Sequence, residues 1–195
     1  MSSVLKAVFV ALLLAAPATA QQAPSMIPTR DVAITYRSIG GPGESMSFEM
    51  AWLASAASLR ADVPGLGWSV ADHRAGTGFI VVEAERRIMP MPPMVLHGQL
   101  GPPQGATFTR DGSDRVAGQP CTNFRYQGGG QEGRICLSAE GVMLRSLITA
   151  GGPMGITGGL EATQIRFVAQ DPARFRMPEG YEVMQPRTPR QRPAR

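Results

Sequence analysis

The sequence predicts a mainly β protein built from antiparallel strands, and three observations carry that prediction. Apolar residues recur at period two from Arg30 onward, a glycine hairpin flanked by two cysteines lies past the middle of the chain, and helix signals are scarce. Ahead of the strands stands an export signal. Lys6 precedes the apolar run AVFVALLLA and Ala18-Thr19-Ala20 closes it, so residues 1–20 read as a secretory signal peptide cleaved after Ala20. The run falls short of the ~20 apolar residues of a retained membrane helix, and no cysteine lies near the cleavage point to take a lipid. Residues 21–30 are expected to form a linker, 31–184 a single β domain and 185–195 a disordered tail, in a protein of the periplasm or one secreted beyond it.

The net charge of +4 belongs to that tail. Arg187, Arg190, Arg192 and Arg195 lie in RTPRQRPAR, while residues 21–186 hold 14 Arg against 15 acidic residues. A near-neutral body offers no basic face, and no nucleic-acid partner is expected. The tail is Pro-rich and lacks apolar anchors, so it is read as a solvated end. Its alternative role is a weak contact with an anionic membrane surface, at about 1 kcal/mol per basic residue held close. Lys6 is the only lysine and leaves with the signal peptide. The mature chain therefore lacks the lysine of a Walker-type phosphate loop, a Schiff base or a Ser-x-x-Lys pair, and no cofactor is expected.

Along the chain, MSFEMAW places Met46, Phe48, Met50 and Trp52 on one side and Ser47, Glu49 and Ala51 on the other. A helix competes, because Phe48, Trp52, Ser55 and Leu59 also fall at helical spacing, but the alternation is unbroken and favours a strand. SLRADVPG is then the return strand, and GWSVADH and GFIVVEA flank RAGT as a hairpin. GVMLRSLI and EATQIRFVA are later strands joined by the glycine-rich loop AGGPMGITGG, which has no phosphate-binding spacing. The best helical candidate is DPARF, where Asp171 can cap and Pro172 can take the first helical position.

The cysteine hairpin is the most specific local signal. In CTNFRYQGGGQEGRIC, a two-residue loop at Gly128-Gly129 sets Cys121 opposite Cys136 and Arg125 opposite Glu132, with Phe124, Tyr126, Ile135 and Leu137 together on the other face. An exported chain with two cysteines favours a disulfide between Cys121 and Cys136. Cross-strand positions bring Cα atoms near the ~5.5 Å that the bond requires. A redox-active pair is disfavoured by the lack of Cys-x-x-Cys spacing.

Candidate chemistry is sparse. SVADH holds the residue types of a hydrolase triad, but on a strand Ser69 and His73 stand ~13 Å apart and Asp72 projects to the opposite face. The acid pairs Asp111/Asp114 and Glu83/Glu85 read as turn and strand residues, and the chain is read as non-enzymatic. In RRIMPMPPMVLHG, the prolines bias Met89 to Met94 toward an extended, polyproline-like path. Met91, Met94 and His97 then line one edge at ~9 Å intervals. Thioethers suit Cu(I), which makes Met89, Met91, Met94 and His97 an alternative metal set. Spacing that wide fits soft apolar cover over a sheet face better.

Three short motifs in order resemble a family. Gly118-x-x-Cys121, the strand Gly141-Val-x-Leu-Arg145 and the ending Phe175-x-x-Pro-x-Gly-Tyr181 are similar to the uncharacterised branch of the LolA/LolB-like periplasmic superfamily. The resemblance covers most of the mature chain, and its motifs are structural. It implies one strongly curved antiparallel sheet, a half-barrel or incomplete barrel, with short helix or lid segments over its concave face. It also implies an apolar concavity of the kind relatives use for acyl chains of lipoproteins or other lipids. The expected function is an exported protein binding a lipid or a lipid-modified partner, with Met46, Phe48, Met50 and Trp52 as candidate wall and Met89, Met91 and Met94 as candidate lid. The alternatives are a periplasmic Cu(I)-handling protein and a structural envelope protein without a small ligand.

Overall fold

In the computed structural model, which describes residues 23–41, 45–98, 101–152, 155 and 157–184, the period-two segments pair with their sequence neighbours wherever a short turn joins them. Residues 1–20, read above as a signal peptide, and the tail 185–195 lie outside the described residues, as do the side chains of Met94 and His97. The first half supplies β1 (Val32–Ile39), β2 (Ser47–Leu53), β3 (Ser58–Val63), β4 (Gly67–Asp72), β5 (Thr77–Val82) and β6 (Arg87–Pro90), followed by the helix α1 (Pro93–Gly98). The second half supplies β7 (Thr107–Val116), β8 (Gln119–Gly128), β9 (Gln131–Leu137), β10 (Met143–Ala150), β11 (Gly158–Arg166) and β12 (Glu182–Val183). All lie in one sheet, in the order β12-β6-β5-β4-β3-β2-β1-β11-β10-β9-β8-β7. The sheet is curved and is not closed into a barrel. Every pairing is antiparallel except that of β12 with β6. This is the predicted fold class.

The cysteine hairpin keeps its predicted faces but not its predicted register. Its turn is Gly129-Gly130, with φ of 57° and 76°, so Asn123 instead of Cys121 faces Cys136, Arg125 faces Arg134, and Glu132 faces Gln127. Three consecutive glycines offer two such turns. Gly128 serves close packing instead, since a Cβ there would stand 2.5 Å from the Ala106 Cα. A slip of two residues leaves each side chain on its own face. Cys121 reaches Cys136 diagonally across a Cα separation of 5.4 Å, and the disulfide forms. Such a bond belongs to an oxidising compartment, in keeping with an exported protein.

The Pro/Met segment also departs from expectation. Met89 lies on β6 opposite Ile80, and the backbone turns helical at Pro93 instead of continuing as a polyproline path. Pro93 takes the helix start, where its missing N–H is harmless, and the Pro92 carbonyl accepts from the Val95 and Leu96 amides. Met94 and His97 are thus less than one helical turn apart, ~4.5 Å along the axis, not ~9 Å.

The outer face of β2–β6 buries Ala51, Leu53, Val70, Val81 and Ile88 beneath Phe175, which the C-terminal segment delivers. The DPARF turn forms as a 3-10 turn at Pro172–Phe175, and the Asp171 carboxylate accepts from the Ala173 amide. Tyr181 donates to Glu83, Glu83 also accepts from the Trp68 indole, and the Arg60 guanidinium stacks 3.8 Å from the Trp68 ring centroid. The hydrogen bonds from Tyr181 and Trp68 hold the Glu83 carboxyl below its usual range. The Phe-x-x-Pro-x-Gly-Tyr ending is therefore the clasp that closes this face.

Past β1, the outer face carries a chain of ion pairs, Arg37–Glu161, Glu161–Arg145 and Arg145–Asp114, each 2.7 Å. β7 lies three strands from β10 in the sheet, so Asp114 reaches Arg145 because the end of the β7–β8 hairpin folds back over β9 and β10. Arg37 and Arg145 hold Glu161 below the usual carboxyl range, and Arg145 does the same for Asp114. A depressed carboxyl pKa contributes stability that is present above the unfolded value and lost as pH falls through the folded one. Arg145→Met is therefore expected to destabilise the protein at neutral pH, and its difference from the parent should shrink in acid below the carboxylate range. Urea denaturation across that range measures it, and a gap independent of pH would contradict the electrostatic account.

Candidate functional site: the concave face and its lid

The register defines one continuous inner face. Trp52, Met50 and Phe48 on β2 stand opposite Val32, Ile34 and Tyr36 on β1, and Leu59 and Ala61 on β3 stand opposite Trp52 and Met50. Ile165 and Ala162 on β11 extend the row. Tyr126 on β8 and Met50 on β2 are five strands apart in the sheet, ~24 Å if it were flat. Both line one recess of about 300 Å³. The face they share is therefore the concave one.

Topology places the lid. β6 and β7 lie at opposite flanks of the sheet, so the chain between them must cross from one side to the other. It crosses the concave face. Met91 and Leu96 are buried in the cluster of Val32, Trp52 and Leu59, and Gly101 lies against Met26 and Met143. The N-terminal residues 23–31 lie beside it. Met26 and Pro28 border a cavity of about 40 Å³ together with Tyr36, Met50, Trp52 and Met143. Thr29 donates to the Glu140 carbonyl, and the Asp31 carboxylate accepts from the amides of Ala54 and Gln170.

The predicted wall residues divide by depth from Met46, just ahead of β2, to Trp52 near its end. Met46 is 54% exposed, Phe48 is half-buried and stacks on Tyr36 at 5.8 Å, Met50 is half-buried, and Trp52 is 1% exposed. Met50 lines both the 300 Å³ recess and the 40 Å³ cavity, Trp52 lines the cavity, and neither Met46 nor Phe48 borders them. Among the predicted lid residues, Met91 is buried, with its sulfur 3.0 Å from where a Cβ on Gly78 would stand. Met89 is half-buried on β6 and so belongs to the sheet. The Met94 side chain, like that of His97, lies outside the described residues. Sequence reasoning missed Tyr36, Tyr126, Met143 and Leu160 in the recess and Met26 in the cavity. The alternation Val32, Ile34, Tyr36 was the signal for the first.

The lining is chemically quiet. The Tyr36 hydroxyl donates to the Met143 carbonyl at 2.6 Å, and burial pushes its phenol pKa up, so it stays protonated. His73 lies 5.7 Å from Trp52, ring to ring. Asp72 accepts from the amides of Arg74 and Ala75 as a turn residue, and Ser69 pairs with Ile80 across β4 and β5. Among the described residues, no group of three or more His, Cys, Asp and Glu side chains is placed to hold a metal ion. A larger cleft of about 730 Å³ opens on the outer face, but Arg60, Asp62 and Glu83 there are already bonded to protein partners.

No protein-family model matches the chain, and no curated protein matches it. Solved structures do. An uncharacterised conserved protein from Thermus thermophilus superposes with a TM-score of 0.56 at 13% identity, over 80% of this chain and 90% of that one. MucB superposes with a TM-score of 0.52 at 13% identity, over 81% of this chain and 61% of MucB. A domain from Vibrio parahaemolyticus described as outer membrane lipoprotein-sorting overlaps 75% of this chain and 89% of its own at 14% identity, with a TM-score of 0.30 that is too low to argue from. Identities this small speak to fold alone: the chain shares its fold with MucB and with the Thermus thermophilus protein.

Proposed function

We propose that this is an exported, non-enzymatic binding protein that holds an apolar ligand, a lipid or the lipid group of a modified partner, in the concave face of its sheet. The supporting observation is the recess of about 300 Å³ lined by Tyr36, Met50, Tyr126, Met143, Ile148 and Leu160. Its size reaches the lower end of the ~300–1,000 Å³ range of ligand pockets. Tyr36, Met50 and Met143 also border the 40 Å³ cavity, so the two spaces adjoin. Flexible methionines let such a wall adapt to its guest, and Met91 on the lid adds another. The basic tail contributes at most a weak contact with an anionic membrane surface.

Native mass spectrometry of the protein purified from its own envelope tests this reading. A retained lipid mass that organic extraction removes is the expected result. An empty chain would favour a structural envelope protein, and a retained copper ion would favour the thioether metal site.

A further inference from the structure

Trp52 carries a polar atom without a partner among the described residues. The residue is 1% exposed, and its indole Nε1–H has no hydrogen-bond acceptor among the described residues. Trp68, the only other tryptophan, gives its N–H to Glu83 at 2.6 Å. A buried donor without a partner is costly, and Trp52 lines a cavity of about 40 Å³. That space admits a polar group of the size of one water, for which ~10–15 Å³ suffices. The neighbouring Tyr36 hydroxyl already spends its proton on the Met143 carbonyl. Trp52 is thus the lining residue whose donor has no partner among the described residues. None of the lining side chains carries a charge, since they are Met26, Pro28, Ile34, Tyr36, Met50, Trp52, Leu59, Val142 and Met143. A carboxylate would be buried there with no arginine or lysine in the lining to offset it.

We infer that the ligand is a neutral lipid bearing a carbonyl oxygen, as in a long-chain ketone, ester or quinone, and that Trp52 recognises that oxygen through its N–H. The carbonyl enters the 40 Å³ cavity and the apolar body lies in the adjoining 300 Å³ recess. This inference rests on the concave face being the ligand site.

Binding of decane, 2-decanone and decanoate to the mature protein tests it. The ketone is expected to bind about three- to tenfold tighter than the alkane, as one net hydrogen bond allows, and decanoate no tighter than decane. Trp52→Phe removes the donor and keeps a ring, and should abolish the ketone's advantage over decane. A second readout does not depend on that variant folding. The two indole N–H resonances of the parent protein, assigned with Trp68→Phe, should respond differently, with the Trp52 signal moving on addition of ketone but not of alkane. Equal affinities with no ketone-specific shift would overturn the inference, pointing to a water in the cavity, and would leave the proposed function intact. Failure of all three probes to bind would overturn both.

Discussion

Trp52→Ala is expected to lower the free energy of unfolding by about 3–5 kcal/mol, the usual cost of deleting a large buried aromatic side chain. Trp52 is 1% exposed and sits between Val32 on β1 and Leu59 on β3, both buried, with the His73 ring at 5.7 Å. Its ladder neighbours come from the two strands that flank β2, whose spacing the ladder fixes, so they have little freedom to close over the gap. The space left behind would join the 40 Å³ cavity that Trp52 already borders. Urea denaturation of parent and variant measures the loss, and the slope of free energy against urea should stay the same. A loss below about 1 kcal/mol would mean that Trp52 covers an open pocket instead of anchoring the core. Phe48→Ala, at a half-buried position farther along β2, should cost less.

Replacing both Cys121 and Cys136 by serine is the second large effect, about 3 kcal/mol in the chain-entropy model for a loop of this length. The two positions are 15 residues apart in sequence, and Cys136 is fully buried. Asp114 on β7 stands opposite Cys121 and Arg145 on β10 opposite Cys136, so the bond holds together the region where the β7–β8 hairpin folds back. The fully reduced parent should match the double-serine variant in guanidinium denaturation, and the oxidised parent should be more stable than either. Coincident curves for all three would show that the hairpin is held without the bond.

Much of this fold was legible because alternation and hydrogen-bond pairing tell the same story. SFEMAW fell in β2 with Phe48, Met50 and Trp52 on one face, and Arg74-Ala75-Gly76 fell in the turn between β4 and β5. What alternation lacks is a coordinate along the strand. It put Phe48, Met50 and Trp52 on one face but could not tell that exposure falls from half-buried at Phe48 to 1% at Trp52. β7 was missed because TFTRDGSDRV is exposed over nearly its whole length and takes an irregular step between Arg110 and Ser113. Its strand character comes from pairing with β8, not from a buried stripe. The hairpin register failed where Gly128, Gly129 and Gly130 gave no local preference and a contact with Ala106, distant in sequence, decided. The site was half legible for a related reason. Met50 and Trp52 lie on the predicted face, whereas Met143 joins them through the curvature of the sheet and Met26 through the N-terminal segment beside the lid, neither of which a local pattern encodes.

The segment running from β6 to β7 has a mechanical meaning beyond that of a cover. It subtends the arc of the sheet as a string subtends a bow, tied at its ends to the two flanks. The separation of those flanks, and with it the width of the concavity, is bounded by the length of chain between Met91 and Ala106. Inserting or deleting residues in that stretch would retune the site's girth without altering one side chain of its wall.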